Sequence, residues 1–394
     1  MKSIRVCMIS SLHGLYDDRI YWKEAISLKK KGYDVIHIGV GETGKDFISE
    51  HGIRLIRIRK KCFFKNPYTD KLFRIIILQQ GIYKKIFKIA SSLNADIYHF
   101  HDLQINRIGP KLKKLPHNPK VIYDIHEDYY ELILEYYTKS RFMLPVVKFY
   151  AGRIKKWEKK CAAKYDFLIA AIPHIEKNLK GVVPGEKISV IYNYTNLCPD
   201  QFINYEDKKF DVLYSGLIND SRSGLEIAGA VCRCKKILPG ITCLMVGPVP
   251  DHKYKQELIQ YIRENDLEQN MILMDPVRYD YVKEFYSLSR IGLAIFKPIK
   301  IFQYSIQVKT FEYMAYGLPI VCSNFGNINK FVAESSSGIT VNPGNPDEIS
   351  KAITDILTDY EAYKQMSNNG ILAAKDKYNW KSEEEKLYNI YQSL

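Results

Sequence analysis

A lysine and a glutamate, Lys309 and Glu312, stand three residues apart at the predicted start of a helix. Residues at this spacing are neighbours around a helical turn. The helix start offers free N–H groups and a positive dipole end to phosphate oxygens, Lys309 adds charge, and Glu312 can accept hydrogen bonds from sugar hydroxyls. The pair therefore indicates a nucleotide-sugar site; the alternative is a helix-surface ion pair.

The residues around this pair predict a helix followed by a buried strand. The helix runs over residues 309–315, Gly317 ends it, and an apolar strand begins at Pro319. A strand, a glycine turn and a helix start are the elements that bring backbone N–H groups close to a ligand. The elements that must position the pair are therefore predicted to belong to an α/β fold.

Apolar runs alternate with longer amphipathic runs along the whole chain. This alternation predicts parallel sheets covered by helices. The chain of 394 residues exceeds what one hydrophobic core usually supports, so two domains are expected. A polar, irregular stretch over residues 195–209 marks the linker. We predict two doubly wound domains facing a cleft, residues 1–200 and 201–379, with sites at the carboxyl ends of the strands.

Four motifs in this order resemble family 4 retaining glycosyltransferases with the GT-B fold. The first is the run SSLHGLYDDRIYWKEAISLKKKGYDV at residues 10–35, and the second is DIHED at residues 124–128. The third is VIYNYTN at residues 190–196, and the fourth is the block at residues 307–323 that contains Lys309 and Glu312. The resemblance extends over almost the full chain. It implies two Rossmann-like domains, an N-terminal one for the acceptor and a C-terminal one for the donor, with the helix at residues 380–394 crossing back to the first.

The resemblance also implies a set of donor-binding residues. Glu312 corresponds to the carboxylate that binds the ribose, and Lys309 to a cation on the diphosphate. Relatives carry an arginine and a lysine where this chain has Leu217 and Ser223, so the second cation is assigned to the displaced Arg222. Relatives also carry a glutamate near position 304, where this chain has tyrosine. The predicted donor-binding residues are Gly14, Gly216, Arg222, Val277, Arg278, Tyr304, Ser305, Lys309 and Glu312.

His126 follows an apolar strand and is the histidine expected to support the reaction. An imidazole at a strand end can hydrogen-bond the transferring sugar or the acceptor as charge develops; a structural role is the alternative. The resemblance implies contact with the donor sugar. His126 and Glu312 together form the predicted catalytic set. Polar residues at neighbouring strand ends are assigned to the acceptor: His13, Asp18, Arg19, His101, Asp102 and Glu127. Asp18 could instead cap the helix that starts near Arg19.

Basic residues are concentrated in the first half of the chain. Residues 1–200 carry 36 lysines and arginines against 20 aspartates and glutamates, whereas residues 201–394 carry 22 against 24. Two segments, residues 60–88 and 141–164, mix this charge with apolar bulk. Such a mixture suits an anionic membrane surface; two core helices with solvated basic faces are the alternative.

Composition and spacing argue against several other classes of protein. The chain shows no zinc-finger spacing, no RNA-recognition motif and no G-x-G-x-x-G after its first strand, which argues against nucleic-acid binding and a dehydrogenase. Eight scattered cysteines without C-x-x-C spacing are expected to be reduced thiols. No run is apolar enough to span a bilayer and no signal peptide is evident, so a cytoplasmic location is expected. The absence of an Asp-x-Asp pair predicts metal independence.

These observations predict a retaining, metal-independent glycosyltransferase of bacterial surface-polysaccharide type. It would move a sugar from a nucleotide diphosphate, UDP being favoured, to a hydroxyl of a glycan or polyprenyl-linked acceptor, without a cofactor. It would lie at the inner face of the plasma membrane. Two alternatives remain open: a nucleotide-sugar epimerase of the same fold, and a non-catalytic protein that binds sugar nucleotides.

Overall fold

Two parallel sheets, each in its own unit, organise the chain. The computed structural model describes residues 3–41, 46–59, 80–137, 142 and 144–394. Unit 1 comprises Met1–Asn193 with Trp380–Leu394, and unit 2 comprises Tyr194–Asn379. Most of the predicted segment 60–88, together with Arg141 and Met143 of the second basic segment, lies outside the described residues. Among the described residues, none belongs to a helix that is both long and apolar enough to span a membrane.

The sheet of unit 1 has the order β3-β4-β2-β1-β5-β6-β7-β8. Its pairs are parallel except for β3 with β4. The order reverses direction between β1 and β5, and ligands of such sheets bind at the carboxyl ends of the strands at this switch point. The strands are β1 (Arg5–Gly14), β2 (Asp34–Gly41), β3 (Phe47–Ile48), β4 (Arg54–Arg59), β5 (Ile97–His101), β6 (Lys120–Ile125), β7 (Phe167–Ala170) and β8 (Ile188–Val190).

The helices of unit 1 cover both faces of this sheet. A π-helical stretch, Asp18–Ala25, continues into α1, and a 3₁₀ turn, Leu103–Arg107, precedes α3. The helices are α1 (Ile26–Lys30), α2 (Gln80–Ser92), α3 (Gly109–Leu112), α4 (Tyr129–Tyr137), α5 (Leu144–Ala162), α6 (Pro173–Leu179) and the C-terminal helix α15 (Trp380–Gln392). The helix predicted to start near Arg19 corresponds to the π-helical stretch and α1 together.

The C-terminal helix α15 packs into unit 1 through aromatic side chains. The indole N–H of Trp380 donates to Ser27 Oγ at 2.9 Å, and the Tyr388 hydroxyl donates to the Ser27 carbonyl at 3.1 Å. Tyr391 lies with its hydroxyl 2.9 Å from Nδ1 of the buried His99. These contacts and the apolar cluster around them explain why residues 380–394 belong to unit 1.

The sheet of unit 2 has the order β11-β10-β9-β12-β13-β14, with parallel pairs throughout. This is the doubly wound order 3-2-1-4-5-6, whose switch point lies between β9 and β12. The strands are β9 (Phe210–Ser215), β10 (Cys243–Val246), β11 (Met271–Met274), β12 (Ser289–Ala294), β13 (Ile320–Ser323) and β14 (Gly338–Val341).

The helices of unit 2 pack their apolar faces on this sheet, and buried apolar residues from its helices and strands form a core cluster. They are α7 (Gly224–Lys235), α8 (His252–Glu264), α9 (Tyr279–Ser287), α10 (Lys300–Tyr304), α11 (Val308–Ala315), α12 (Gly326–Ser335), α13 (Pro346–Thr358) and α14 (Tyr360–Asp376). The helix predicted over residues 309–315 is α11, which begins one residue earlier. The strand–helix alternation therefore confirms an α/β fold with two Rossmann-like domains.

Candidate functional site

The turn after β9 brings a glycine next to the ammonium group of Lys309. Gly216 has a φ of +119°, a conformation that side chains rarely adopt, and a Cβ added there would lie 3.3 Å from Lys309 Nζ. The same Nζ lies 3.7 Å from the ring centroid of Tyr214, a cation–π contact. Lys309 Nζ is buried and has no hydrogen-bond partner among the described residues. Burial, with Arg222 nearby, holds the pKa of Lys309 well below its usual value, although Glu312 opposes this shift.

A second polar atom without a partner lies at the start of α7. Ser223 is fully buried in the left-handed conformation, and its Oγ finds no hydrogen-bond partner in the described part of the chain. Gly224 then begins a helix of 12 residues, and a Cβ at Gly224 would meet the Tyr254 hydroxyl at 2.7 Å. Arg222 precedes this pair, with its guanidinium 5.6 Å from the Phe302 ring. A helix start with buried donors lacking partners is a site prepared for an anion.

Glu312 is held by two tyrosine hydroxyls from α9. The Tyr279 hydroxyl donates to Oε1 at 2.8 Å and the Tyr286 hydroxyl donates to Oε2 at 2.6 Å. Glu312 is 3% exposed, so its carboxylate is oriented by these contacts rather than by water. Sequence reasoning paired Glu312 with Lys309 and missed both tyrosines.

The remaining predicted donor residues lie on two loops of unit 2. Tyr304 and Ser305 end α10, where the Tyr304 carbonyl accepts from Asn327 Nδ2 at 2.6 Å and Ser305 Oγ accepts from Gln307 Nε2 at 2.6 Å. Val277 and Arg278 follow β11 and are exposed, and the Arg278 guanidinium lies 5.4 Å from the Tyr281 ring. Unit 2 therefore brings together Gly216, Arg222, Lys309 and Glu312. Tyr304 and Ser305 shortly precede Lys309 in sequence, and Arg278 directly precedes Tyr279, which contacts Glu312.

In unit 1, His13 lies between two carboxylates near the end of β1. His13 Nδ1 is 2.7 Å from Asp17 Oδ2, and His13 Nε2 is 3.0 Å from Asp102 Oδ1. Burial alone would lower the pKa of His13, but Asp102 and Asp17 raise it well above its usual value. Ser10 Oγ donates to Asp102 Oδ2 at 2.8 Å. Because each ring nitrogen faces a carboxylate, both nitrogens carry protons and His13 is an imidazolium.

His126 closes a second network at the end of β6. Its Nε2 lies 3.2 Å from Asp124 Oδ2 and 3.2 Å from His101 Nδ1. Arg19 binds the same carboxylate through Nε at 2.8 Å and Nη2 at 3.1 Å, and its Nε is 3.0 Å from Glu24 Oε1. Burial would raise the pKa of Asp124, but Arg19 and His126 hold it well below its usual value.

Three residues assigned to the acceptor are buried inside these networks. Arg19 is 3%, His101 0% and Asp102 1% exposed. Arg19 also donates to the Ile191 carbonyl at 3.0 Å. The polar groups of all three face other groups of unit 1, and the direct acceptor contact predicted for them stays a prediction. His13 and Glu127 remain partly exposed.

The structure also corrects the assignment of the helix cap. Asp17, rather than Asp18, is the N-cap residue, since its Oδ1 accepts from the backbone N–H groups of Arg19 and Ile20 at 3.0 and 3.1 Å. Asp18 Oδ2 instead accepts from Lys23 Nζ at 2.7 Å. Gly14 ends β1 in open surroundings, where an added Cβ would come no closer than 4.0 Å to its nearest neighbour, so the need for glycine there is not steric.

Two groups of side chains could converge on a cation in unit 1. One comprises Glu24, His99, His101 and Asp124, and the other comprises His13, Asp102 and His126. In the first group Arg19 already contacts both carboxyl groups, and in the second both nitrogens of His13 face carboxylates. A cation would have to displace these contacts, so the donor set fits a proton and charge network better than a metal centre.

Known proteins match both units. The model of the family "Glycosyltransferase Family 4" matches residues 19–197, and that of "Glycosyl transferases group 1" matches residues 200–372. An uncharacterized glycosyltransferase of Methanocaldococcus jannaschii is 22% identical, covering 93% of this chain and 92% of its own length. The chain belongs to the family 4 glycosyltransferases with the GT-B fold. The family, the fold class and the enzyme class predicted from the four motifs are thereby confirmed.

Solved glycosyltransferase structures share the fold of this glycosyltransferase at low identity. Sucrose-phosphate synthase from Thermosynechococcus elongatus superposes with a TM-score of 0.72 at 16% identity, over 99% of this chain and 98% of that chain. Anabaena HepE, crystallised with UDP and glucose, gives 0.73 at 14% identity, over 99% and 100%. WaaG, involved in lipopolysaccharide biosynthesis, gives 0.66 at 12% identity, over 98% and 99%.

Sequence reasoning missed several residues of this glycosyltransferase that the structure places beside the predicted ones. In unit 1 these are Ser10, Asp17, Glu24 and Asp124. All four lie within the quoted motifs, but some of their partners lie far away in sequence, such as Asp102 for Ser10 and Arg19 for Asp124. In unit 2 they are Tyr279 and Tyr286. Their spacing of seven residues places both on one face of α9, and this was the available signal.

Proposed function

We propose that this glycosyltransferase retains anomeric configuration, needs no metal, and transfers a sugar from a UDP-linked donor. The acceptor is a hydroxyl of a glycan or polyprenyl-linked molecule in cell-surface polysaccharide synthesis. We further propose that the protein works in the cytoplasm, at the inner face of the plasma membrane.

The observation that carries the donor proposal is the pair of buried polar atoms without partners at Lys309 and Ser223. The Lys309 ammonium faces the Gly216 turn, and Ser223 immediately precedes α7. A diphosphate would give both groups acceptor oxygens and offset the burial of the lysine charge. Arg222 lies beside them and would add the second positive charge. Such charge supports departure of a diphosphate without a metal ion.

Glu312 supports the nucleotide part of the proposal. Glu312 is buried and its carboxylate oxygens are hydrogen-bond acceptors, the groups that ribose hydroxyls require. HepE was crystallised with UDP and with UDP-glucose, and a trehalose-6-phosphate protein of E. coli with UDP-2-fluoro glucose, which favours a uridine donor. Val277 and Arg278 follow β11 and are our proposal for the base. Tyr304 and Ser305 take the place of the missing second carboxylate towards the donor sugar.

The acceptor part rests on the strand ends of unit 1. His126 is 12% exposed at its side chain and is held by Asp124 and His101. We assign it to the reacting sugar or acceptor, where it can donate or accept a hydrogen bond as charge develops. His13 and Glu127 remain the accessible polar groups beside it, and we assign the acceptor hydroxyls to them.

The membrane part rests on the exposed face of α5. Val146, Phe149 and Tyr150 are 59%, 68% and 38% exposed and lie on one side of the helix, because they are spaced three and four residues apart. Phe142, 94% exposed, precedes them by one turn. Exposed lysines and arginines on the same helix, Lys148, Arg153, Lys156 and Lys160, would attract anionic headgroups.

Transfer assays separate the proposed activity from its alternatives. The purified protein is incubated with radiolabelled UDP-sugars, with and without a lipid extract and EDTA. Transfer that requires the extract and survives EDTA supports the proposal. Isomerisation of the sugar without an acceptor would identify an epimerase, and UDP binding without turnover would identify a binding protein.

Sedimentation with vesicles tests the membrane part on its own. Phe149→Ser should lower the fraction bound to phosphatidylglycerol vesicles, whereas Phe202→Ser, which replaces another exposed phenylalanine in unit 2, should not. Binding to neutral phosphatidylcholine vesicles should be weaker for every variant. Equal binding of wild type and Phe149→Ser would contradict the assignment of this face.

A further inference from the structure

The carboxylate of Glu312 is held by two hydroxyls from one helix. Tyr279 and Tyr286 are separated by seven residues, two helical turns, so both project from the same side of α9. Each hydroxyl donates to a different oxygen of Glu312, at 2.8 and 2.6 Å. Charge-assisted hydrogen bonds of this length are among the stronger ones in proteins.

The position of Tyr286 is fixed by its surroundings. Its side chain is 2% exposed, its ring meets Tyr313 edge-on at 5.6 Å and 89°, and it lies 5.5 Å from the Tyr316 ring. Its hydroxyl is also 3.2 Å from Ser215 Oγ, which can donate to it. Because an ionised carboxylate only accepts, the phenol proton points at Glu312.

The two phenol contacts restrict the directions in which Glu312 can present its carboxylate oxygens to a ligand. A carboxylate on a flexible side chain loses conformational entropy when a ligand orders it, and a site ordered in advance avoids that cost. Each oxygen of Glu312 receives one phenol, so the two hydroxyls fix the direction in which both oxygens point. Two neighbouring ribose hydroxyls are a ligand that matches two oxygens of one carboxylate.

We propose that Tyr286 is a positioning residue that presets Glu312 for the ribose diol of the donor, with Tyr279 as the second member of the clamp. The proposal rests on the proposed function, because it takes Glu312 as the group that binds the nucleotide ribose. It goes further by assigning ribose recognition to a contact between α9 and α11.

Calorimetric titration with UDP and with 2′,3′-dideoxy-UDP tests the clamp. For the wild-type protein, loss of the diol should weaken binding by about 10-fold or more, the size expected for hydrogen bonds to a charged group. Glu312→Gln should weaken UDP binding and reduce this ratio. Tyr286→Phe should do the same by about 10-fold, although it leaves the carboxylate in place.

A double-mutant cycle isolates the contact between the two residues. If Tyr286 acts through Glu312, the Tyr286→Phe substitution should cost little UDP affinity once Glu312 is already Gln. Tyr363→Phe, which changes another buried tyrosine of unit 2, is the matched control and should bind both ligands like wild type. Thermal unfolding of every variant shows whether each is folded.

The outcomes separate this inference from the proposed function. If wild-type protein binds no UDP, or if Glu312→Gln binds it normally, the donor site itself is refuted. If Glu312→Gln weakens binding but Tyr286→Phe does not, the donor site stands and the clamp is refuted. A folded Tyr286→Phe variant that binds UDP weakly but discriminates against the dideoxy nucleotide as strongly as wild type also overturns the inference, because Tyr286 would then act on something other than the diol.

Discussion

Replacing Lys309 with methionine should stabilise the folded protein and at the same time weaken UDP binding. Lys309 Nζ is buried, lies 3.7 Å from the Tyr214 ring centroid, and has no hydrogen-bond partner among the described residues. A buried charged or polar group without such partners costs about 1–3 kcal/mol, and the cation–π contact returns roughly 0.5–2 kcal/mol of this. Methionine keeps the length and apolar stem of lysine without the charge.

The expected gain is therefore about 1 kcal/mol, or roughly 2–4 °C in Tm for a domain of this size. The loss of a charged contact to the diphosphate should weaken UDP binding by roughly 10- to 100-fold, equivalent to about 1.5–3 kcal/mol. Opposite changes in stability and affinity indicate a group whose burial is unfavourable until a ligand binds to it.

The pH dependence of the two proteins gives a further check. Burial first, and Arg222 second, hold the pKa of Lys309 well below its usual 10.5 in the folded state. Between the lowered pKa and 10.5 the unfolded chain binds more protons than the folded one, so wild-type stability rises with pH in that window. The advantage of the methionine variant should therefore be largest below the lowered pKa and shrink as the pH rises towards 10.5.

Differential scanning calorimetry measures the stability, and isothermal titration measures the affinity. Titrations in buffers of different ionisation enthalpy should also show proton uptake when UDP binds wild type, because phosphate oxygens raise the pKa of Lys309. The exposed Lys330 of α12 is the matched control, and Lys330→Met should change neither quantity. A Lys309→Met protein that is less stable than wild type, or that binds UDP unchanged, would refute this reasoning.

Four other perturbations have defined outcomes. Glu312→Ala should raise the donor KM, whereas His126→Ala should mainly lower kcat, by roughly 100-fold; unchanged kinetics for both would reject the site. Asp102→Asn should destabilise the protein by about 3–5 kcal/mol above pH 4, because His13 loses a buried carboxylate. Burial would raise the pKa of Asp102, but His13 lowers it well below its usual value, so this contribution should decline progressively as the pH falls from about 4 towards the lowered pKa, as urea titrations would show. EDTA should leave initial rates unchanged, and loss of activity restored by a divalent cation would contradict metal independence.

Local signals predicted the elements of unit 2 well but not the partners of its key side chains. The helix containing Lys309 and Glu312 was predicted within one residue at its start, because a helix start, a glycine turn and an apolar strand are all encoded within 15 residues. Tyr286 contacts Glu312 across 26 residues, and only the packing of α9 beside α11 creates that contact. A spacing of seven residues places two tyrosines on one face of a helix, but it does not indicate which neighbouring element that face contacts.

In unit 1 the sequence indicated which strand ends carry polar residues but not which of them are accessible. Arg19 and Asp124 are 105 residues apart, and their ion pair forms because parallel strands bring their carboxyl ends to one edge. Once Asp124 is buried there, it requires a buried cation, and Arg19 supplies it. Because this pairing joins residues far apart in sequence, the sequence alone did not indicate that Arg19 is buried.

The backbone at Asp102 shows how the second network is held together. Asp102 has φ 74° and ψ 146°, a region that residues other than glycine rarely occupy and that costs about 1–3 kcal/mol. Its carboxylate offsets this cost through His13 and Ser10 at 3.0 and 2.8 Å. Asp102, the residue after β5, thus contacts Ser10 and His13 near the end of β1, so the same carboxylate joins two strand ends at the switch point of the sheet.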